Sequence, residues 1–217
     1  MTLTYDLYWS FRSPYSYFVT PRLWELERDY DVTCNVRVVH PLAVRQPEFF
    51  DNNDPLWQVY FAFDVFRTAE YLGLPFAWPR PDPVLRDPAT GKYPKDQPHI
   101  HRLSRLGVAA TEAGRGLAFL KEVSSLIWSG KTENWHEGDH LARAADRAGL
   151  DLAVLDAAIA ADPARYEAII AESQTAQRAA GHYGVPLMVF DAAPFFGQDR
   201  FDQLKWRMEQ KGLTRRG

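Results

Sequence analysis

The pattern of apolar and polar residues at the start of the chain predicts a strand, a helix and a second strand. Residues 3–9 alternate in polarity and are rich in aromatic side chains, which is typical of a strand. Pro14 suits the first turn of a helix, and the apolar residues that follow it recur at near-helical spacing, which predicts a helix over 14–29. A second strand is expected over 32–39.

The other end of the chain carries a similar pattern. Strands are expected near 186–190 and 194–196, followed by a closing helix from about 199 to 210. Together with the opening elements, these segments predict one α/β domain built from residues 1–44 and 182–217.

The segment between them, 45–181, is predicted to be an all-helical insertion. Apolar residues recur at helical spacing in 56–72, 103–113, 117–127, 141–148, 152–160 and 163–180. The proline-rich stretch 75–98 interrupts this pattern and is expected to form a loop, whose length suggests a functional flap. Most aromatic residues on or beside the first inserted helix are expected to be core, and some to line a pocket for an aromatic substrate: Trp57, Phe61, Phe63, Phe66, Tyr71 and Trp78.

The composition narrows the class of protein. The chain has 217 residues, of which 46% are hydrophobic and 24% charged, enough to bury a sizeable core. A net charge of -3 argues against a nucleic-acid partner, which would need clustered Lys and Arg. No stretch approaches the roughly 18 apolar residues of a membrane span, and the first residues lack a basic, apolar leader, so a soluble cytoplasmic protein is expected.

Cys34 is the single cysteine of the chain. It can form no internal disulfide, and its position in the second predicted strand indicates a buried, unreactive thiol. Because dithiol exchange needs two thiols, the lack of a Cys-x-x-Cys pair excludes that chemistry.

Ser13 stands at the predicted N-terminus of the first helix, where two interpretations remain open. It can be an N-cap whose side chain accepts a backbone N–H that would otherwise lack a partner. Alternatively, free N–H groups and the helix dipole can stabilise a bound thiolate there, with the Ser13 hydroxyl donating a hydrogen bond to its sulfur.

Three segments at the two ends of the chain carry a family resemblance. They are Ser-Pro-Tyr-Ser-Tyr at 13–17, Gly-Val-Pro at 184–186, where Val185-Pro186 is a candidate cis peptide, and Phe-Phe-Gly-Gln-Asp-Arg-Phe at 195–201. They resemble the thioredoxin-like family that includes the disulfide oxidoreductase DsbA, the kappa-class glutathione transferases and the 2-hydroxychromene-2-carboxylate isomerases, and they look most like the isomerase branch. The resemblance implies a thioredoxin-like fold with a large all-helical insertion, and a serine where relatives carry a reactive cysteine.

Residues in the middle of the chain agree in part with this family. Asn53-Asp54-Pro55 is similar to its Asn-x-Pro, and the segments at 64–69 and 73–75 resemble its Asp-Leu-x-Arg-x-Ala and Gly-x-Pro. The chain departs from the family in having no convincing counterpart of a lysine before that helix, and in the length of the proline-rich stretch.

The resemblance implies glutathione as cofactor. Ser13 would be the catalytic residue beside its sulfur, and Val185, before a cis Pro186, would pair its backbone with the cysteinyl part. Gln198 and Asp199 would bind the amino and carboxylate ends of the γ-glutamyl group, although Asp199 can also be a helix cap paired with Arg200.

Three further residues have weaker implied roles. Asn53 is a candidate for the cofactor, the substrate side or a subunit interface, and Tyr15 and Asp64 are candidates for the substrate side or an interface. Relatives are commonly homodimers, so a homodimer is expected.

A competing motif, 136–140, matches the H-E-x-x-H of zinc peptidases. That chemistry needs both histidines in one helix, but Gly138 indicates a loop and Asp139 a helix cap, so no metal is expected. His99 and His101 could share a metal with His136, but nothing completes a ligand set.

The sequence therefore favours a glutathione-dependent isomerase acting on an aromatic or conjugated small molecule. A glutathione transferase of the kappa type and a thioredoxin-like binding protein without catalysis remain as alternatives, and a zinc hydrolase is disfavoured.

Overall fold

A four-stranded sheet lies at the centre of the computed structural model, which describes residues 2–50 and 53–217. The strands are β1 (Leu3–Trp9), β2 (Val32–Val38), β3 (Leu187–Phe190) and β4 (Ala193–Phe196). Their order is β2, β1, β3, β4; β1 and β2 are parallel, and β3 is antiparallel to both β1 and β4. The predicted strands at both ends of the chain are confirmed, and β2 ends one residue before the expected boundary.

Helix α1 (Pro14–Asp29) connects the two parallel strands, as a parallel pair requires a crossover. Trp9, at the end of β1, fixes this helix in place: its buried indole N–H donates to the Ser16 carbonyl at 3.1 Å and to the Thr20 hydroxyl at 3.0 Å. The start of α1 is therefore held against the carboxyl end of β1.

Helices occupy the chain between β2 and β3, as predicted. Those that the structure describes are α2 (Leu42–Arg45), α3 (Pro55–Tyr71), α4 (Pro98–Glu112), α5 (Gly116–Trp128), α6 (His140–Arg147), α7 (Leu152–Ala161) and α8 (Pro163–Ala179). Helices α4, α5 and α8 contact β2, and α5 also packs against α1. The insertion therefore shares one hydrophobic core with the sheet.

Element boundaries differ from the prediction in three places. Helix α4 begins at Pro98 rather than at 103. The buried Ile100 lies three residues before Leu103 and continues the helical spacing, but the polar His99, His101 and Arg102 around it obscure the pattern. Helix α2 was not predicted, since four residues are too few to show a period. The closing helix is divided into a 3-10 turn at Gln198–Arg200 and α9 (Phe201–Glu209).

The expectation that the aromatic residues of α3 are mostly core is wrong. Only Val65, Thr68 and Ala69 of this helix are buried. Its large exposed side chains are Leu56, Trp57, Val59, Tyr60, Phe63, Phe66 and Tyr71. The sequence period marks an apolar helix face, but it cannot show whether the same chain covers that face.

Among the described residues, no helix has the length and apolar character that crossing a bilayer requires.

Candidate active site

A cavity of about 640 Å³ opens at the N-terminus of α1, a volume within the usual range for small-molecule sites. Its walls come from the turn before α1, from α2, from one side of α3, from the proline-rich loop and from the segment before β3. The residues that line it include Arg12, Ser13, Tyr15, Arg45, Trp57, Phe61, Trp78, Arg86, Tyr93, Tyr183 and Val185. Part of the predicted loop 75–98 thus forms a wall of the cavity.

Ser13 is the N-cap of α1, and its side chain is nearly buried at the cavity wall. Its Oγ accepts a hydrogen bond from the Ser16 N–H at 3.1 Å. The nearest acceptor for its own hydrogen is the Val185 carbonyl at 3.5 Å, the outer limit of a hydrogen bond. The hydroxyl hydrogen is therefore available to a better acceptor in the cavity.

The Val185–Pro186 peptide is cis and lies beside Ser13, as predicted. Pro186 is held through its carbonyl, which accepts from the Gly197 N–H at 2.9 Å. The N–H of Val185 donates to no acceptor among the described residues. Next to Ser13 the chain thus presents the Val185 N–H, which has no acceptor among the described residues, and the Val185 carbonyl, which accepts one long hydrogen bond from Ser13.

Gly184 allows this segment to approach β4 closely. A Cβ atom at this position would lie 2.5 Å from the ring of Phe196. The Gly184 carbonyl accepts from the fully buried Gln177 side chain at 2.7 Å, which fixes the chain just before Val185.

Tyr15 and Asp64 form a hydrogen-bonded pair between α1 and α3. The Tyr15 hydroxyl donates to Asp64 at 2.6 Å, and Asp64 also accepts from Arg67 at 2.7 Å and from Tyr60 at 3.2 Å. Desolvation opposes ionisation of Asp64, but these donors outweigh it and hold the pKa of the carboxyl below its usual value. Desolvation and the neighbouring carboxylate together raise the pKa of Tyr15, so this phenol remains protonated and holds α3 against the start of α1.

Aromatic side chains form the apolar wall of the cavity. The rings of Trp57 and Phe61 stack with centroids 5.2 Å apart, Phe61 meets Tyr15 at 5.8 Å, and Trp78 lies 5.9 Å from Phe61. This wall suits a flat, apolar ligand.

The structure does not bring Gln198 and Asp199 into this cavity. The Gln198 carbonyl accepts from Arg22, more than two helical turns beyond Ser13 on α1. Asp199 is exposed and pairs with Arg200 at 2.8 Å, as the alternative interpretation expects, although it caps no helix. Their assignment to the γ-glutamyl group stays a prediction.

Asn53 also lies outside the residues that line the cavity. It is half-buried, and its Nδ2 is a buried donor with no acceptor among the described residues. The neighbouring Asp54 caps α3 by accepting from the Leu56 N–H at 2.8 Å.

Three arginines line the cavity, and the sequence analysis did not identify them: Arg12, Arg45 and Arg86. Arg12 forms two hydrogen bonds to Asp82, at 2.9 and 3.1 Å, and lies over the Tyr93 ring. The position of Arg12 directly before Ser13 was the one sequence signal that pointed to any of them.

Cys34 lies in β2 opposite Tyr5, whereas Trp9 and Val38 are paired at the end of the sheet nearest Ser13. Four residues of strand separate these two levels, which is roughly 13 Å. Cys34 is half-buried rather than buried as predicted. Desolvation still raises the pKa of the Cys34 thiol, as expected for an unreactive cysteine.

The H-E-x-x-H segment does not lie within a helix. His140 is the first residue of α6, and His136 is in the preceding turn. Asp139 stands at the cap position, but its side chain makes no capping bond and instead pairs with Arg143 at 3.1 Å. The rings of His99 and His136 do meet, with centroids 4.7 Å apart. Within the described residues, neither histidine of the motif belongs to a group of three potential metal ligands.

One group of three potential ligands lies elsewhere among the described residues, where α4 and α8 meet the end of β2. Glu167 bonds His40 at 2.8 Å, His101 at 3.2 Å and Arg105 at 2.8 Å. Desolvation opposes ionisation of Glu167, but these donors hold the pKa of the carboxyl well below its usual range. Because Arg105 already compensates the charge, this cluster is an ion-pair network that joins three elements.

Comparisons with known proteins agree with this architecture. The model of the DsbA-like thioredoxin domain family matches residues 4–209. A solved 2-hydroxychromene-2-carboxylate isomerase is similar, with a TM-score of 0.72 and 19% identity over 96% of this chain and 95% of that one. A cytosolic disulfide reductase, DsbM from Pseudomonas aeruginosa, is similar with a TM-score of 0.65 and 18% identity over 96% and 98%.

The same reductase solved with GSH gives a TM-score of 0.64 and 17% identity over 96% of this chain and 98% of that one. No curated protein sequence shows a significant match. The expected thioredoxin-like fold with a helical insertion is confirmed.

Proposed function

Because the chain belongs to the DsbA-like thioredoxin family, we propose that it is a glutathione-dependent isomerase acting on an aromatic or conjugated small molecule. The observation that carries the proposal is the Ser13 hydroxyl, whose hydrogen has only a 3.5 Å acceptor, at the start of α1 and in an aromatic-walled cavity.

The site supplies what a bound thiolate needs. The N-terminus of α1 places the positive end of a long helix at the cavity, which lowers the free energy of an anion there. The Ser13 hydroxyl can turn its hydrogen from the distant Val185 carbonyl to an anionic sulfur, a stronger acceptor. The Ser13 hydroxyl can hold a bound thiolate but cannot form a disulfide with its sulfur, and Cys34 is the single thiol of the protein.

Backbone atoms of the segment before β3 suit the peptide part of glutathione. The N–H of Val185 lacks a partner among the described residues and its carbonyl has only a weak one, so this residue can pair with an extended peptide as an added strand would. A related fold has been solved with GSH, which supports the choice of ligand.

Bound glutathione would supply a thiolate that adds reversibly to an electron-poor carbon, permits rotation about the bond and leaves unchanged. The residues of the chain would position the two partners. Trp57 and Phe61 would hold the flat substrate. Tyr15, whose pKa is raised by desolvation and by Asp64, would stay protonated and keep α3 at a fixed distance from Ser13.

The amount of free thiol consumed for each product molecule distinguishes the proposed isomerase from the alternatives. With cis-benzylideneacetone as probe, an isomerase would produce the trans ketone over many turnovers with no net loss of free thiol. A kappa-type transferase would consume one thiol for each product, and a binding protein would titrate with glutathione but accelerate neither reaction. Failure of the wild-type chain to accelerate trans-ketone formation across a panel of cis aryl enones would contradict the proposal.

A glutathione thiolate requires a compartment that keeps thiols reduced. We therefore propose a cytoplasmic location for this function. A fractionation experiment in the source cell tests this point directly.

We also propose that the protein is a homodimer that pairs through α3. A standard interface buries about 800 Å² on each partner, and the seven large side chains of α3 that are 40% or more exposed offer apolar area on that order. Because Trp57 and Phe61 both lie on α3 and line the cavity, a second copy seated there would border the substrate site.

A further inference from the structure

Arg45 is a cation on the cavity wall that has no acidic partner among the described residues. It is the last residue of α2, and its guanidinium donates to the Gln177 side-chain oxygen at 3.2 Å and to the Tyr183 carbonyl at 3.0 Å. Both acceptors are neutral. Its Nε is buried and bonds nothing, and no carboxylate of the described residues forms an ion pair with it.

The other two arginines of the cavity differ from Arg45. The charge of Arg12 is compensated by the two-pronged contact with Asp82. Arg86 is exposed to solvent and donates to the Gly91 carbonyl. Arg45 is therefore the partly buried arginine of this cavity whose charge the described residues leave uncompensated.

The surroundings of Arg45 disfavour its charge in the free protein. Burial, and then the positive charge of Arg178, lower the pKa of Arg45 to about 10. The group is still protonated at neutral pH, and its charged form is desolvated and faces a like charge. An anion that enters the cavity would relieve both costs.

The guanidinium is also held in a fixed position. Gln177, which accepts from Arg45, donates through its other amide atom to the Gly184 carbonyl at 2.7 Å. One buried side chain thus joins Arg45 to the segment that carries Val185, on the same cavity as Ser13. A fixed guanidinium with free N–H groups matches the planar, two-oxygen shape of a carboxylate.

We propose that Arg45 is a carboxylate subsite, which binds an anionic end of the ligand while its reacting part lies at Ser13. The proposal rests on the proposed function for the identity of the ligand. Two carboxylates have the required chemistry: the glycyl end of glutathione, and an acid group on the aromatic substrate.

Calorimetric titration at low salt separates these sources. The probes are glutathione against its glycyl ethyl ester, and cinnamate against the neutral cinnamamide. If the glycyl carboxylate binds Arg45, the wild-type chain prefers glutathione over the ester by about tenfold or more, and Arg45→Gln binds both alike. If the acid group of the aromatic substrate binds Arg45, the wild-type chain prefers cinnamate over cinnamamide, and Arg45→Gln loses that preference.

Two variants serve as controls. Arg178→Gln removes a neighbouring positive charge that does not line the cavity, and it should keep the acid preference. Arg45→Lys keeps the charge without the planar fork and should show an intermediate preference, which gives a reading even if Arg45→Gln does not fold.

The proposal is overturned if the wild-type chain shows neither acid preference, or if Arg45→Gln retains the one it shows. A wild-type chain that ignores glutathione but prefers cinnamate through Arg45 would reject the glutathione function and leave the carboxylate subsite in place.

Discussion

The Ser13 oxygen accepts one good hydrogen bond, whereas the hydroxyl hydrogen has only a distant acceptor. It accepts from the Ser16 N–H, so it stabilises α1 whether or not a ligand is present. Its hydrogen has only the distant Val185 carbonyl to bond. Loss of this one oxygen should therefore change folding slightly and catalysis strongly.

For Ser13→Ala we expect a loss of about 1 kcal/mol in the free energy of unfolding, the usual cost of removing an N-cap. Turnover should fall by about 10²-fold or more, because one donor to a held anion is typically worth roughly 2.7–4 kcal/mol. Glutathione binding should persist, since backbone contacts at Val185 remain. Steady-state kinetics and calorimetry measure both effects, and unchanged turnover would remove Ser13 from the mechanism.

Cys34 should be dispensable. Its thiol lies in β2, well away from Ser13, and desolvation raises its pKa, so Cys34→Ser should keep both glutathione binding and turnover near the wild-type values. Activity assays of the folded variant provide the check. A folded but inactive variant would show that the thiol takes part in the reaction.

At the scale of elements, the ion-pair network around Glu167 is the clearest stabilising contact outside the sheet. It joins His40 after β2 to Arg105 on α4 and to α8 itself. Because Glu167 is more readily ionised in the folded state, its contribution is present above the ordinary glutamate pKa of about 4.3 and is lost as the pH falls toward the lower folded value.

We expect Glu167→Gln to lower the free energy of unfolding at neutral pH by about 1–3 kcal/mol. The difference from the wild type should narrow below about pH 4. Urea titrations at several pH values test this, with Glu172→Gln, at an exposed position on the same helix, as the control. A gap that stays constant down to pH 2 would show that charge is not the cause.

The sequence predicted the elements that have a local pattern, but not the contacts between residues far apart in the chain. The strands and α1 followed from local patterns, whereas the juxtaposition of Ser13 with Val185-Pro186 followed from the family resemblance. The structure explains this juxtaposition, because β1 and β3 are neighbours in the sheet. The cavity arginines did not follow from any sequence pattern, since Arg45 lies on a helix of only four residues. That no described carboxylate pairs with Arg45 is evident only in three dimensions. The Glu167 network also joins residues far apart in sequence, with no spacing to mark it.

At the scale of the whole molecule, the outer face of α3 is the largest departure from expectation. Leu56, Phe63 and Tyr71 are 74%, 70% and 86% exposed, although an apolar helix face normally packs against something. Most aromatic residues of α3 were expected to be buried. A second copy of the chain that packs against this face would bury them in the dimer.

Sedimentation should give twice the mass of one chain for the wild type. Phe63→Glu should shift the protein toward the monomer, because a charge at the centre of an apolar interface is desolvated without a partner. Val154→Glu changes an apolar residue on α7 that is 64% exposed, against 70% for Phe63, and should leave the dimer intact. A wild-type monomer at high concentration would contradict the pairing.

The central claim is that the sulfur of glutathione lies beside Ser13. Treatment of Ser13→Cys, in a Cys34→Ser background, with oxidised glutathione tests it most directly: the new thiolate would attack the disulfide, retain one glutathione as a mixed disulfide and release the other as a thiol. Mass spectrometry should show the adduct at position 13, formed faster than with 2-hydroxyethyl disulfide, which lacks the peptide contacts. No adduct at that position, or no preference for glutathione over the small disulfide, would contradict the account.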